Sequence, residues 1–170
     1  MLKRTLFLIL SCSMACLASA QMQEGEPNLK AAFIYNFTKY IDWGRTNEKE
    51  FVIGIIGASP INGPLNEIAA TKTINNKNIV IRRFDKPEDI SYCQLLFIAK
   101  KNSFSLSSIL DAIDKRTITI GEEPGYAEQG TAFNFVILND KLKFEVNIRS
   151  IYQAGVKISS QLLKLAIIVN

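Results

Sequence analysis

Histidine is absent from the 170 residues, so the side chain on which most acid–base and nucleophilic sites depend is missing. Ser-His-Asp and Cys-His arrangements are therefore excluded, and a zinc shell would have to form without imidazole. Two loops keep residue types that could bind or react. Gly57-Ala58-Ser59-Pro60-Ile61-Asn62-Gly63 leaves an apolar strand and enters a helical segment, where open α/β sheets often bind ligands. It has neither the G-x-G-x-x-G spacing of a dinucleotide loop nor a Gly-Lys-Ser/Thr ending. Its alternative reading is an ordinary strand-to-helix turn with Ser59 as a capping residue. Glu122-Glu123-Pro124-Gly125-Tyr126 follows a later strand at the same edge of the sheet. The adjacent carboxylates could form an acid/base couple, but nothing in the sequence would push their pKa values apart, and Pro-Gly marks a solvated turn. Gly57, Ser59 and Glu122 are thus the candidate ligand loop, and no cofactor, metal or catalytic residue is expected.

The elements that carry these loops follow from hydrophobic periodicity. Leu29, Phe33, Phe37, Tyr40 and Ile41 recur at three- and four-residue steps and predict an amphipathic helix from Asn28 to Trp43, closed by Gly44. Phe51 to Ile56 is apolar without alternation, as expected for a parallel strand buried on both faces. Further units follow: a helical segment at Pro64 to Ala70, a strand at Asn78 to Phe84, a turn at Lys86-Pro87, and a strand at Leu95 to Ala99. Ser105 to Lys115 reads as a helix with Leu106, Ile109, Leu110 and Ile113 on one side, and Thr117 to Ile120 as a strand. After Gly130 the pattern changes. Phe133–Leu138 and Leu142–Asn147 flank Asn139-Asp140-Lys141 as a hairpin. In its second strand Leu142, Phe144 and Val146 alternate with Lys143, Glu145 and Asn147, which suits an antiparallel strand at the sheet's edge with one wet face. Arg149 to Ala166 reads as a last helix with Ile151, Ile158, Leu162 and Leu165 inward; Ser159 and Ser160 would cap or bond back to the backbone. The fold class is α/β: a single-domain sandwich with a mostly parallel central sheet flanked by helices, then an antiparallel hairpin and a helix.

Met1-Leu2-Lys3-Arg4, an apolar run to Leu17 and Ala18-Ser19-Ala20 form the three-part layout of a signal peptide, with cleavage expected after Ala20. The run is shorter than a spanning helix and interrupted by serines, which argues against a membrane anchor. Residues 21–170 would then be the mature domain. Cleavage removes Lys3 and Arg4 and no acid, so the formal net charge falls from +4 to +2. The remaining basic residues form no stripe, which together with export argues against nucleic acid as a partner. Two of the three cysteines also leave, so Cys93 cannot form an intramolecular disulfide; ahead of Leu95 to Ala99 it reads as a small buried hydrophobe.

Several stretches resemble the YfiR family of exported regulators. They are Lys30-Ala31-Ala32-Phe33-Ile34-Tyr35-Asn36-Phe37-Thr38-Lys39-Tyr40-Ile41-Asp42-Trp43, Phe51 to Gly57, Cys93 to Ile98, Thr117 to Gly121, Phe133-Asn134-Phe135, Phe144 to Asn147 and, most distinctively, Ala154 to Ala166. The resemblance implies a periplasmic α/β protein, often a homodimer, that binds the periplasmic segment of an inner-membrane diguanylate cyclase or sensor histidine kinase. In that role it restrains output, cyclic di-GMP and biofilm formation among them, without turnover. The paired, redox-responsive cysteines of the best-known relative have no counterpart beside Cys93. Gly130-Thr131 and Trp43-Gly44 replace the Gly-Gly and Trp-Pro that relatives often carry. On exposure expected from the sequence, the partner contacts would be Tyr126, Lys143, Glu145 and Asn147. Two other classes stand beside this reading. One is a small-ligand or nucleotide-binding protein of flavodoxin-like layout using the Gly57 and Glu122 loops; the other is a solute-binding module that reports to a receptor.

Overall fold

The apolar run predicted as a buried strand is one: β2 (Glu50–Ile56) is buried at every residue after Glu50. It lies in the middle of an eight-stranded sheet in a computed structural model that describes residues 25–44 and 48–169. The expected signal peptide, residues 1–20, lies outside the described residues. In chain order the elements are α1 (residues 25–39), β1 (Ile41–Asp42), β2, α2 (Asn62–Thr71), β3 (Thr73–Ile74), β4 (Lys77–Phe84) and a 3-10 turn at Pro87–Asp89. Then come β5 (Leu95–Ile98), α3 (Leu106–Ala112), β6 (Ile118–Gly121), β7 (Phe133–Leu138), β8 (Lys141–Asn147), α4 (Ile148–Gln153), β9 (Lys157–Ile158), α5 (Ser160–Leu163) and β10 (Ile167–Val169). The sheet order is β10-β8-β7-β6-β5-β2-β4-β3; β7/β8 and β3/β4 pair antiparallel and every other neighbour in that order parallel. The α/β class and the mostly parallel sheet are as expected.

Strand alternation sends two sets of side chains to two cores. Phe51, Ile53, Ile55, Leu95, Phe97, Ile118 and Ile120 face α1 and α2, joined by Ile34, Phe37, Ile61 and Leu65. Val52, Ile56, Leu96 and Ile98 face α3 through Leu106 and Ile109. Gly54 lies on that second face, where an added Cβ would sit 2.8 Å from Phe84 Cε2 and 3.0 Å from Cys93 Sγ, so the neighbours occupy the space of the missing side chain. Cys93 is the free, buried cysteine among the described residues, as expected for a small hydrophobe.

Helix α1 closes the first core through phenylalanines. Phe37 stacks on Phe133 at 4.8 Å and meets Phe144 at 4.7 Å, while Phe33 approaches Phe144 at 5.9 Å and Phe135 at 6.2 Å. The buried stripe is Ala31, Ile34, Phe37 and Thr38, whereas Leu29 and Tyr40 of the expected stripe are 48% and 39% exposed. The helix also stops at residue 39, before Trp43. Thr38 Oγ1 donates to its own helix at Tyr35 O, Trp43 Nε1 donates to Thr38 O, and Ile41–Asp42 leaves as β1 to pair with β9.

The hairpin is as read, with Lys141 drawn into β8. Asn139 and Asp140 both take positive φ, 50° and 58°, the two-residue turn whose twist matches its strands. Asn75 and Asn76 make the same turn between β3 and β4, a hairpin the sequence reading missed.

Two expectations near the carboxyl end are corrected. β8 is not the edge strand, because β10 pairs with it in parallel through Ile167↔Glu145 to Val169↔Asn147. The single helix over Arg149–Ala166 is three elements, α4, β9 and α5. Gly155 at φ 72° ends α4, Lys157–Ile158 extends to pair with β1, and Ser159 starts α5 by accepting from Leu162 N. Ile151 and Leu162 are buried as expected, but Leu165 is 70% exposed. The two arrangements predict different energetics. Phe37→Ala should cost about 3–5 kcal/mol in urea denaturation, as large aromatic truncations in cores do, while Leu165→Ala should stay within about 0.5 kcal/mol of wild type. A cost for Leu165→Ala comparable with a core leucine would restore the continuous helix.

Candidate functional site

β2 is followed by α2 and then β4 on one side of it; β5, on its other side, continues through α3 to β6. The helices pack on opposite faces, so the chain leaves the adjacent ends of β2 and β5 in opposite directions. Such a switch point opens a crevice at the carboxyl ends of parallel strands. Here it is a cleft of about 260 Å³ walled by Glu26 and Lys30 of α1, Ser59 and Pro60, Lys101 and Glu122.

The sequence-predicted ligand residues meet at this place. Gly57 turns the chain at φ 91°, and a Cβ there would stand 2.9 Å from Lys101 O and 2.8 Å from Asn102 Cβ. That close approach lets Ala58 N donate to Lys101 O at 2.9 Å, bridging the two loops into one lip. Ser59 Oγ accepts from Ile61 N at 3.3 Å and steadies the entry to α2. Glu122 reaches in from the end of β6: Oε1 accepts from Lys100 N at 2.8 Å, and Oε2 from Lys30 Nζ at 2.6 Å.

Lys30 is the residue the sequence reading passed over. Its Nζ lies 2.6 Å from Glu26 Oε1 as well as from Glu122, and its side chain is only 12% exposed. It stands four residues before Ile34 and seven before Phe37, on the buried side of α1, and a charge within that spacing was the available signal. Burial pulls its ammonium pKa down, but the hydrogen bonds and charges of Glu122 and Glu26 outweigh that and hold it above its ordinary 10.5. The triad fastens α1 to the loops after β5 and β6.

Three of the four predicted contact residues are engaged within the molecule. Tyr126 is half-buried against the second core, with Cδ2 2.7 Å from where a Cβ on Gly121 would be. Asn134 Nδ2 donates to Glu123 O and to Glu145 Oε2, both at 2.9 Å. Asn147 is 5% exposed; its Nδ2 donates to Ala127 O and its Oδ1 accepts from Ser150 N, capping α4. Glu145 and Asn147 therefore secure the 122–130 loop, and Asn147 and Tyr126 do not form the exposed surface expected of them. Of the four, Lys143 is exposed.

Among the described residues no group of three His, Cys, Asp or Glu could hold a metal ion. Cys93, the thiol in the core, is pushed up to about 11 by burial, so the thiolate a nucleophile needs is scarce at neutral pH. A larger cleft, about 490 Å³, opens on the α3 side between β6 and α4 and was not foreseen from sequence.

Two outcomes follow. Glu122→Gln should lower stability by about 1–3 kcal/mol at pH 8, the cost of weakening a buried charged hydrogen bond, and Glu26→Gln by less, since its pair is more open. Because the Lys30 pKa is raised on folding, the contribution is complete below the unfolded value and is lost as pH climbs through the folded one. The Glu122→Gln deficit should therefore shrink above pH 10.5; a deficit independent of pH would contradict the tie. Cys93 should resist a thiol reagent at pH 8 until denaturant is added; stoichiometric labelling of the native chain would contradict its burial.

No curated protein matches the chain. A family model described as YfiR/HmsC-like matches residues 27–167, running from the first turns of α1 to the start of β10 and taking in Lys30, the Gly57 lip and Glu122. The chain belongs to the YfiR/HmsC-like family.

Proposed function

We propose that this chain is a non-catalytic regulator, exported through a cleaved signal peptide, that binds the periplasmic part of a membrane-bound diguanylate cyclase or sensor histidine kinase and restrains its output. The observation that carries this reading is family membership over residues 27–167, the family being one of periplasmic regulators in cyclic di-GMP signalling. The chemistry of the site supports it. Lys30, Glu26 and Glu122 at the switch point are engaged with one another, the sequence lacks histidine, and Cys93 is buried.

A protein on the far side of the membrane from the output acts only by favouring one conformation of its partner, which requires different affinities for the two states. The proposed contacts for such binding are drawn from exposed apolar groups. Ile148, Tyr152, Leu165, Ile167 and Ile168 are all at least 36% exposed, Tyr152 reaching 84%, and they belong to the short elements that follow the hairpin. Tyrosines of this kind are common energetic anchors in interfaces. Lys143, exposed on β8, joins the proposed contact set.

The test is retention of the mature chain on immobilised periplasmic segments of membrane cyclases and kinases encoded beside its gene. One of them should bind, and Tyr152→Ala should weaken that binding about tenfold, the effect of losing about 1.4 kcal/mol. Retention by none of them, or equal retention of Tyr152→Ala, would contradict the reading of partner or surface respectively.

A further inference from the structure

β6 and β7 are parallel neighbours for only two residue pairs, Ile120↔Phe133 and Gly121↔Asn134. Before these the strands part, and Ala132 N donates to the Thr119 hydroxyl at 2.9 Å in place of a strand carbonyl. The parting opens the cleft of about 490 Å³ noted above, within the range of small-molecule sites. Leu110 and Ile113 form one wall and Ser150 and Gln153 of α4 the other, with Thr119 and Ala132 between them.

The hydrogen bonds inside the molecule leave this cleft a defined polar pattern. Thr119 is 3% exposed and accepts from Ala132, so its own proton remains to be donated. Ser150 Oγ donates to Gly130 O at 2.9 Å, so its lone pairs remain to accept. The apolar surface comes from Leu110, Ile113 and Ala132, and Lys115 is the one charged residue among the described lining. A donor and an acceptor in the lining of one cleft suit a hydroxyl group, which can serve both; the apolar walls suit a hydrocarbon body; a single ammonium suits a single negative charge.

We propose that this cleft binds a small organic acid with one carboxylate, one hydroxyl group and an apolar body. The carboxylate pairs with Lys115, the hydroxyl sits between Thr119 and Ser150, and the body lies against Leu110, Ile113 and Ala132. Ser150 and Gln153 belong to the same six-residue helix as Tyr152, so a bound acid would bias the element that carries the proposed contact surface. Only that last link rests on the partner reading; the site itself does not.

The experiment is an amide NMR titration of the mature chain with mandelate, phenyllactate and 4-hydroxybenzoate. Neutral 1-phenyl-1,2-ethanediol and cationic phenylglycinol serve as charge controls. At least one acid should produce saturable shifts at Thr117, Thr119, Gly130 and Ser150, and the controls should bind more weakly. Lys115→Gln should weaken the acid about fivefold, the loss of one exposed charge pair. Gln153→Trp, an exposed position at the rim, should abolish the shifts while leaving the remaining spectrum intact. Absence of saturable shifts with all three acids, equal binding of the diol or the amine, or shifts that survive both substitutions would overturn the proposal. Partner binding is not read in this titration, so its outcome is separate from that of the regulatory reading.

Discussion

The packing of Phe37 between Phe133 and Phe144 is the contact on which the rest depends. It joins the first described helix to the hairpin that closes the sheet, segments about a hundred residues apart whose meeting carries a large entropy cost. Stacked and tilted rings add specific geometry to the burial they share, and that geometry sets the rotation of α1. With the rotation set, Lys30 two turns earlier comes over the ends of β5 and β6 and meets Glu122. At the other end of the helix the chain leaves as β1 and pairs with β9, so the same helix also anchors the carboxyl-terminal segment.

Much of this was readable in the sequence where one local rule sufficed. The unbroken apolar runs of β2 and β5 needed no partner to be recognised, and Asn139-Asp140 announced its hairpin because few residues tolerate positive φ in succession. What escaped depended on long-range pairing. β9 is a strand only because β1 lies opposite it, and β10 only because β8 offers a parallel edge, so Ile158 looked helical in isolation and Ile167 was assigned to no element. Lys30 and Glu122 are 92 positions apart, and nothing near either one names the other. Glu145 and Asn147 were placed by alternation on the face away from the core, yet Glu145 accepts from Asn134 of β7, which also donates to Glu123 O, and Asn147 donates into the 122–130 loop at Ala127 O.

These contacts fit the proposed use of the domain in binding. A reactive group must be left partly unsatisfied, and at the switch point the two most buried charges are already answered: Lys30 by two carboxylates, Glu122 by an ammonium and a backbone N–H. The crevice that in other open α/β sheets holds a ligand is here used as a clasp. Exposed apolar groups remain on α4 and on the last strand, which are short elements held by one buried side chain and a cap in α4, Ile151 and Asn147, and by three residue pairs with β8 in β10. Short, weakly anchored elements are the ones that can exchange one arrangement for another at low cost.

The most direct measurement is the output of the membrane partner reconstituted in vesicles, followed while the mature chain is added to the face that corresponds to the periplasm. The account predicts that cyclic di-GMP synthesis, or autophosphorylation for a kinase, falls in a saturable way as the chain binds. It also predicts that Tyr152→Ala shifts the half-maximal concentration upward without changing the floor. An output unchanged at saturating chain would contradict the account.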